Sequence, residues 1–487
     1  MDSFKRKSLR AVLAGIGALG VSGAVSAVQV SADGRGQVLL YPYYTTRTDS
    51  LGNAYSTLLS VVNPSPSPRA VKARFMEGKN GRVVLEFSLF LSPFDVWTAA
   101  ILPDTTTGGA KIGTFDTSCT LPPFSTSPAA PFINFINSSY AGSSDDGAGQ
   151  SLDRTREGYF ELIEMASYSS SSQTGVAVTH VNGVPPCGIG LNDGQAGADA
   201  LPATGGLFGS ATLINVSSGT DYSADAVALA NFYEIGPNYF PNGSSLPDLT
   251  STSPPISVVN APNGTHYQSF WMQGSADAVS AVLMHDSVLN EFTIDTQTKS
   301  GTDWVITMPT KRFYVGKGGG NATQLFQRNF NSGNGSCDDV SLTIWDREHR
   351  TAPGTLNFTP PPPTPGSSLC WTANVITFNN TSVFGSTNLA NLQTPGFQNG
   401  WMSVGFPVGI AGATGGVHQL VNRGTTSITP QGAGTSTGNT TTYNGLPVIG
   451  FAVISFSNGT LQVGSPPVTV LSNYGGDFRH KHNTTIQ

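Results

Sequence analysis

The amino-acid sequence predicts an all-β protein of two, or at most three, antiparallel β-sandwich domains with long irregular loops. Two observations predict this class. First, eight Asn-Gly pairs lie among short, β-branched apolar runs, and Asn-Gly suits a type I′ hairpin turn because both residues tolerate a positive φ. Second, helical periodicity is weak and limited to Ser223–Tyr233 and Thr387–Leu392, neither of which has clear caps.

The first hairpin illustrates the strand pattern. Residues Ala70–Met76 alternate apolar and basic side chains, and Asn80-Gly81 separates them from the apolar run Val83–Leu91. A period of two predicts a strand in a sheet with one solvent-exposed face. The same reasoning predicts further strands at Ser56–Val62, Gly158–Met165, Gly175–Val181, Ala211–Val216, Ala278–Met284, Trp304–Met308, Val340–Trp345, Asn374–Phe378, Trp401–Phe406, Leu446–Phe456 and Val468–Leu471.

Residues 1–27 carry the pattern of a secretory signal peptide. A basic segment (Lys5–Arg10) precedes an apolar stretch (Ala11–Val25) that closes on a small-x-small cleavage pattern at Ala27. The stretch is shorter than the roughly 20 residues that span a bilayer. We therefore predict cleavage before Val28, export, and no transmembrane helix in the mature chain. The compact signal peptide favours a bacterial host.

Composition narrows the classes of function. Charged residues make up 11% of the chain, against a usual value of roughly 25%. The net charge of −6 is spread out with no basic stripe, so nucleic acid is not an expected partner. Low charge with 38% hydrophobic residues is also not the composition of a disordered chain. We expect an extracellular or cell-surface protein, with the periplasm as the alternative.

Four cysteines follow the predicted cleavage point, and an even number in an exported chain predicts two disulfides. Three connectivities are open, and we favour the sequential pairs Cys119–Cys187 and Cys337–Cys370. Zinc is not expected, because the sequence has no C-x-x-C and no nearby His pair.

The chain is predicted to divide at residues 241–264, a segment rich in Pro, Ser, Asn and Gly. This linker would separate an N-terminal β-rich domain, residues 28–240, from a C-terminal β-rich domain, residues 265–487. A proline run near Pro360 predicts extended chain inside the Cys337–Cys370 ring.

Calcium is the one cofactor that the sequence raises. Asp145-Asp146 and Asp338-Asp339 are paired carboxylates in apparent loops, and hard cations prefer such oxygens. Neither pair has a spaced ligand pattern, and a site without a cofactor is the alternative interpretation. The histidines are scattered, and those at positions 480 and 482 fall in a terminal segment that is expected to fray.

The aromatic residues suggest sugar binding as a hypothesis. Trp345 and Trp371 are the candidates for stacking on a ligand, while Trp97, Trp271 and Trp401 fit either a ligand site or the core. The carboxylates Asp346 and Glu348 follow Trp345, and a glycosidase needs two facing carboxylates. The alternative is a self-paired, solvated strand end in the sequence Asp-Arg-Glu-His-Arg.

No catalytic residue is predicted. The sequence lacks H-E-x-x-H, a phosphate-binding G-x-x-x-x-G-K-[ST] and an EF-hand loop. The segment Gly434–Gly438 matches G-x-S-x-G in letters, but no buried strand precedes it and no helix pattern follows it.

Three functions remain as hypotheses. The first is a secreted or cell-surface, non-enzymatic protein, either structural and adhesin-like or a matrix component, with self-assembly through strand edges or binding to surface glycans. The second is a carbohydrate-binding or carbohydrate-active exported protein. The third is an outer-membrane β-barrel, which fits poorly with the proline-rich breaks and the predicted disulfides.

Overall fold

The computed structural model describes residues 27–124, 131–188, 191–234, 236–272, 274–316, 325–351, 356–359, 367–394, 396–409, 417–428 and 436–487. The predicted signal peptide up to residue 26, the proline run 360–366 and the start of the G-x-S-x-G segment lie outside these residues. Strands make up 47% of the structure and helices 8%, so the predicted all-β class is confirmed.

The N-terminal half forms a sandwich of two antiparallel sheets. The central sheet has the order β1-β13-β2-β10-β4-β5-β8, and the sheet that covers it has the order β12-β11-β3-β6-β7-β9. The strands are β1 (Gln29–Val30), β2 (Val38–Thr45), β3 (Ser56–Asn63), β4 (Arg69–Glu77), β5 (Val83–Leu91), β6 (Asp95–Pro103), β7 (Ala110–Gly113), β8 (Thr120–Leu121), β9 (Phe132–Asn134), β10 (Glu157–Ser167), β11 (Ser210–Asn215), β12 (Thr220–Asp225) and β13 (Val227–Ala230).

The C-terminal half is built from smaller sheets, and the strand order within each is β14-β15-β25-β26, β21-β19-β24-β17-β32, β20-β23-β22-β18-β28-β31, β16-β27 and β29-β30. The strands are β14 (Ile256–Asn260), β15 (His266–Phe270), β16 (Met284–His285), β17 (Ser287–Thr293), β18 (Ser300–Thr307), β19 (Asp338–Asp346), β20 (Phe358–Thr359), β21 (Ser367–Leu369), β22 (Ala373–Phe378), β23 (Leu389–Leu392), β24 (Asn399–Gly405), β25 (Gln419–Ile428), β26 (Ser436–Asn444), β27 (Leu446–Pro447), β28 (Ile449–Phe456), β29 (Thr460–Val463), β30 (Val468–Leu471), β31 (Tyr474–Arg479) and β32 (Lys481–Asn483). Pairing is antiparallel except between β22 and β23.

The central sheet is buried on both faces. In β2, Leu39 and Tyr41 point into the core of the N-terminal sandwich, whereas Val38 and Leu40 join a core that continues into the C-terminal half. Successive strand residues face opposite sides, so two packed layers explain why β2 is an almost unbroken apolar run.

The solvent-exposed face predicted for Ala70–Met76 is wrong. All nine residues of β4 are buried, and Lys72 and Arg74 expose only 0% and 2% of their surface. The alternation is present, but a second layer covers the basic side. There Lys72 Nζ donates to the carbonyl of Ser244 at 2.9 Å and Arg74 is held by carboxylates.

The helices do not lie where the sequence predicted them. The α-helices are α1 (Gln173–Val178), α2 (Asp193–Ala198) and α3 (Ser275–Leu283), and 3-10 turns lie at Gly142–Ser144, Leu152–Arg156 and Lys311–Phe313.

Two predicted strands, at Gly175–Val181 and Ala278–Met284, overlap α1 and α3. Short apolar runs do not distinguish a strand from a buried helix, and all of α3 after Ser275 is buried. The two weakly helical segments form β12, β13 and β23 instead.

The segment predicted as a linker is partly built into the fold. It contains β14, and Val28 bonds to one edge of this strand, donating to the carbonyl of Ile256 at 2.8 Å and accepting from the amide of Val258 at 2.9 Å. Leu249 is fully buried in the shared core. The division of the chain at this segment remains a prediction.

Both disulfides join the sequential pairs that the sequence favoured. Cys119 bonds to Cys187 across 68 residues, and Cys337 bonds to Cys370 across 33 residues. Such bonds persist in an oxidising compartment, which supports export. No helix in the described part of the chain is long and apolar enough to span a bilayer.

Candidate functional site

The first pair of candidate calcium ligands is engaged by other side chains. Both oxygens of Asp146 accept hydrogen bonds from Arg154, at 2.7 and 2.9 Å, and Asn80 donates to the second oxygen at 2.9 Å. Burial raises the pKa of Asp146, but these hydrogen bonds outweigh burial, and the pKa falls below its ordinary value. Asp145 accepts from the amide of Gly147 at 2.8 Å, so its carboxylate orders the turn.

The second pair is similarly occupied. Lys311 Nζ donates to Asp338 at 2.8 Å in a buried ion pair, and His418 lies 3.3 Å from the other oxygen. Asp339 pairs with Arg328 at 3.1 Å. Among the residues that the structure describes, no cluster of three His, Cys, Asp or Glu side chains could hold a metal. Calcium at these two places remains a prediction, and three of the four carboxylates, Asp146, Asp338 and Asp339, already pair with an arginine or lysine side chain.

The two candidate stacking residues do not meet. Trp371 lies under Lys79, whose Nζ is 5.2 Å from the ring centroid. Trp345 stacks instead on Trp401, with ring centroids 4.0 Å apart and an interplanar angle of 12°. Trp97 and Trp271 are core residues that expose 0% and 4% of their surface.

The Trp345–Trp401 pair lies on what we call the outer face of the five-stranded sheet. In β24, Met402 is buried and Trp401 is 39% exposed, because neighbouring strand residues face opposite sides. The strand register places Trp345 opposite Trp401, which in turn is opposite Glu291. The next row on this face pairs Thr343 with Ser403.

A shallow depression of about 280 Å³ lies at the other end of the outer face. Ser341 and Gly405, a directly opposed pair, contribute to it together with Asp286, Asn444 and Thr485. Ser341 is four residues from Trp345, a distance of about 13 Å along a strand. The outer face thus combines an aromatic pair, a row of hydroxyls and a depression that both polar and apolar residues line.

Asp346 and Glu348, the two carboxylates that follow Trp345 in the chain, are each paired with an arginine. Arg350 Nε donates to Asp346 at 2.6 Å, and Arg347 pairs with Glu348 at 2.7 Å. Burial raises the pKa of Asp346, but hydrogen bonds and the charge of Arg350 outweigh it and hold this pKa below its ordinary value. An arginine-paired carboxylate with a lowered pKa is a poor general acid.

A second exposed feature is the ribbon formed by β29 and β30. In the described residues, these two strands pair only with each other. Val463 lies opposite Val468 and shares its face with Val470, and the three are 53%, 61% and 39% exposed. On the other face, Gln462 Nε2 donates to the Thr469 hydroxyl at 2.7 Å. No charged residue occurs between positions 457 and 473.

The sequence named Trp401 only as one of several aromatics and missed its pairing with Trp345. Both lie in predicted strands, but register across distant strands has no local signal. The C-terminal segment was wrongly expected to fray. Its strands β31 and β32 join the six-stranded and five-stranded sheets, and His480 is buried.

Comparisons with protein-family models, curated proteins and solved structures found no match for this chain.

Proposed function

We propose that this chain is an exported, adhesin-like, non-enzymatic surface protein that binds glycans on the outer face of its five-stranded sheet. The exposed Trp345–Trp401 pair is the observation that carries the proposal. Export is supported by the two disulfides and by the predicted signal peptide.

The outer face fits the chemistry of a sugar chain. Stacking covers one side of each indole, and the exposed part of Trp401 is left to contact the C–H side of a sugar ring. Thr343, Ser403 and Glu291 surround the pair with hydroxyl and carboxylate groups that bond sugar hydroxyls. The distance of about 13 Å to the depression accommodates an oligosaccharide rather than a single sugar.

Binding without hydrolysis is favoured by the pairing of Asp346 and Glu348, the two carboxylates that follow Trp345 in the chain. Glycoside hydrolysis needs one protonated and one ionised carboxyl group facing each other across the bond. Asp346 and Glu348 are each bonded to an arginine. This arrangement supports a surface that recognises sugars.

The test is a glycan array probed with the exported chain, followed by calorimetry on any ligand found. We expect Trp401→Ala to lower affinity by about fivefold or more, because a base stacked on an aromatic side chain contributes about 1–3 kcal/mol and a sugar ring would use the same indole surface. Phe115→Ala is the control, because Phe115 is an exposed aromatic, 85% exposed, in the N-terminal half and away from this face. Equal losses in both variants, or no glycan bound at all, would overturn the proposal.

A structural role through self-assembly is the second candidate, and the ribbon favours it. The exposed valines on one face of the ribbon, with no charged residue in the segment, form an apolar surface of the kind that marks contacts between proteins. We propose that the valine-bearing face of the ribbon packs against the same face of a second copy.

Light scattering after size-exclusion chromatography tests self-assembly. We expect Val468→Lys to shift an assembled species towards monomer, because it buries a charge in the proposed contact. Thr469→Lys, one residue along on the opposite face, should leave the assembly intact. A monomeric parent protein at high concentration would contradict this role and would leave the glycan proposal standing.

A further inference from the structure

A cavity of about 540 Å³ lies where the N-terminal sandwich meets the C-terminal half. Its walls come from β1, β12 and β13 on one side and from α3, β17, β28 and β31 on the other. Small-molecule sites in proteins span roughly 300–1,000 Å³ and are common at junctions of this kind. The cavity is separate from both the outer face and the ribbon.

The deep part of the cavity is apolar. Val288, Ile306, Val448 and Phe451 each expose 4% of their surface or less. These aliphatic and aromatic walls favour a hydrocarbon body through the hydrophobic effect.

The opening of the cavity is polar and carries more negative than positive charge. Asp225, Asp477 and Arg479 are exposed residues of its lining. Among the described lining residues, Arg479 has the only permanent positive charge. Burial, together with the charges of Asp225 and Asp221, raises the pKa of Asp477. Such an opening repels an anionic group and stabilises a cation or a hydrogen-bond donor.

The histidine in the lining carries no charge. Burial and the ring of His482, stacked at 3.8 Å, lower the pKa of His285 to about 3. Its Nδ1 lies 3.0 Å from the Thr484 hydroxyl. Because the imidazole is neutral at neutral pH, it does not repel a cationic head group, and a neutral imidazole has one donor and one acceptor nitrogen.

We infer that the cavity binds an amphiphile with an apolar body and a hydrogen-bond-donating head, an amine or an alcohol. The hydrocarbon lies against the deep apolar walls. The head donates to the carboxylates of Asp225 and Asp477 at the opening. The inference does not depend on glycan binding or on self-assembly.

Three probes of one chain length separate the head group from the body. Decylamine, decan-1-ol and decanoate are titrated into the exported chain by calorimetry at pH 7. We expect decylamine and decan-1-ol to bind with one-to-one stoichiometry and decanoate to bind at least tenfold more weakly. Decanoate binding as tightly as the amine would overturn the assigned head group, and no binding by any probe would overturn the site.

Substitutions locate the bound probe. Val30 lines the opening and is 40% exposed, so Val30→Trp narrows the cavity without disturbing the core. We expect it to abolish binding of decylamine. Val216→Trp, at an 81% exposed position outside the lining, should bind like the parent protein. Asp477→Asn should weaken the binding of decylamine several-fold more than the binding of decan-1-ol. Unchanged affinity in Val30→Trp would place the probe elsewhere and contradict the inference, and melting curves of each variant check the fold.

Discussion

The central sheet of the N-terminal half and the five-stranded sheet of the C-terminal half treat polar side chains in opposite ways. In the central sheet, Glu161 and Arg74 are directly opposed on β10 and β4 and are almost fully buried. In the five-stranded sheet, Glu291 and Trp401 are directly opposed on β17 and β24 and are exposed. Both sheets alternate polar and apolar residues, but only the five-stranded sheet presents its polar face to solvent.

The difference teaches that an alternating strand does not by itself define a solvent-exposed face. The polar face of the central sheet meets the C-terminal half and must satisfy its charges internally. Arg74 donates to Glu161 at 2.7 Å, and Arg312 lies 3.3 Å from Asp248 beside them. Since those charges are used within the protein, the faces left for partners are the ones that nothing covers.

The largest loss of stability is expected from breaking the buried ion pair of Arg74 and Glu161. Arg74→Met removes a cationic partner of Glu161, Glu86 and Asp248 and leaves Glu161 with Arg312, 3.9 Å away. Burial already raises the pKa of Glu161 even beside Arg74. Removing one partner of a buried ion pair costs about 3–5 kcal/mol, and we expect the upper end here. Chemical denaturation measures the loss. Arg350→Met, on the 66% exposed Arg350, is the control, and an equal loss there would remove the distinction between the sheets.

Removing each disulfide is expected to lower the free energy of unfolding by slightly less. The loss should be larger for the disulfide of the N-terminal half than for that of the C-terminal half. By the chain-entropy relation, the 68-residue ring of Cys119–Cys187 contributes about 4.4 kcal/mol and the 33-residue ring of Cys337–Cys370 about 3.7 kcal/mol. Denaturation of the two double Cys→Ala variants tests this order. A larger loss from the shorter ring would mean that unfolded-state entropy does not control either contribution.

Acid should destabilise the C-terminal half through His480. This ring is buried, lies 2.9 Å from the carbonyl of Val305, and its pKa is lowered by burial to about 4. Between pH 6.5 and 4 the unfolded chain binds a proton at His480 that the folded chain does not, so stability falls as the pH falls.

The expected loss over this range is about 3 kcal/mol. His480→Gln should reduce the pH dependence by that amount, measured by denaturation at pH 7 and pH 4. His266→Gln, at an exposed histidine, is the control and should leave the pH dependence of stability unchanged. A parent protein with equal stability at both pH values would contradict the assignment.

The sequence contained enough information for the class, for most of the strands and for the presence of two disulfides, because these follow from local patterns and from the even number of cysteines. The burial of Lys72 and Arg74 could not be predicted from the sequence, because the layer that covers them comes from residues far along the chain. Helix α3 was missed because its apolar run has no helical alternation to read. Trp345 was identified and its true partner Trp401 was not, because that contact depends on register between strands.

The smallest loss of stability should follow from removing the Trp401 side chain from the outer face. Trp401 and Met402 are neighbours on β24 and face opposite sides. Met402→Ala leaves a cavity in the core and is expected to cost about 2–5 kcal/mol. Trp401→Ala loses little more than its stacking on Trp345, about 0.5–1.5 kcal/mol. If Trp401→Ala proved as costly as Met402→Ala by denaturation, the tryptophan pair would serve stability, and the glycan proposal would lose its main support.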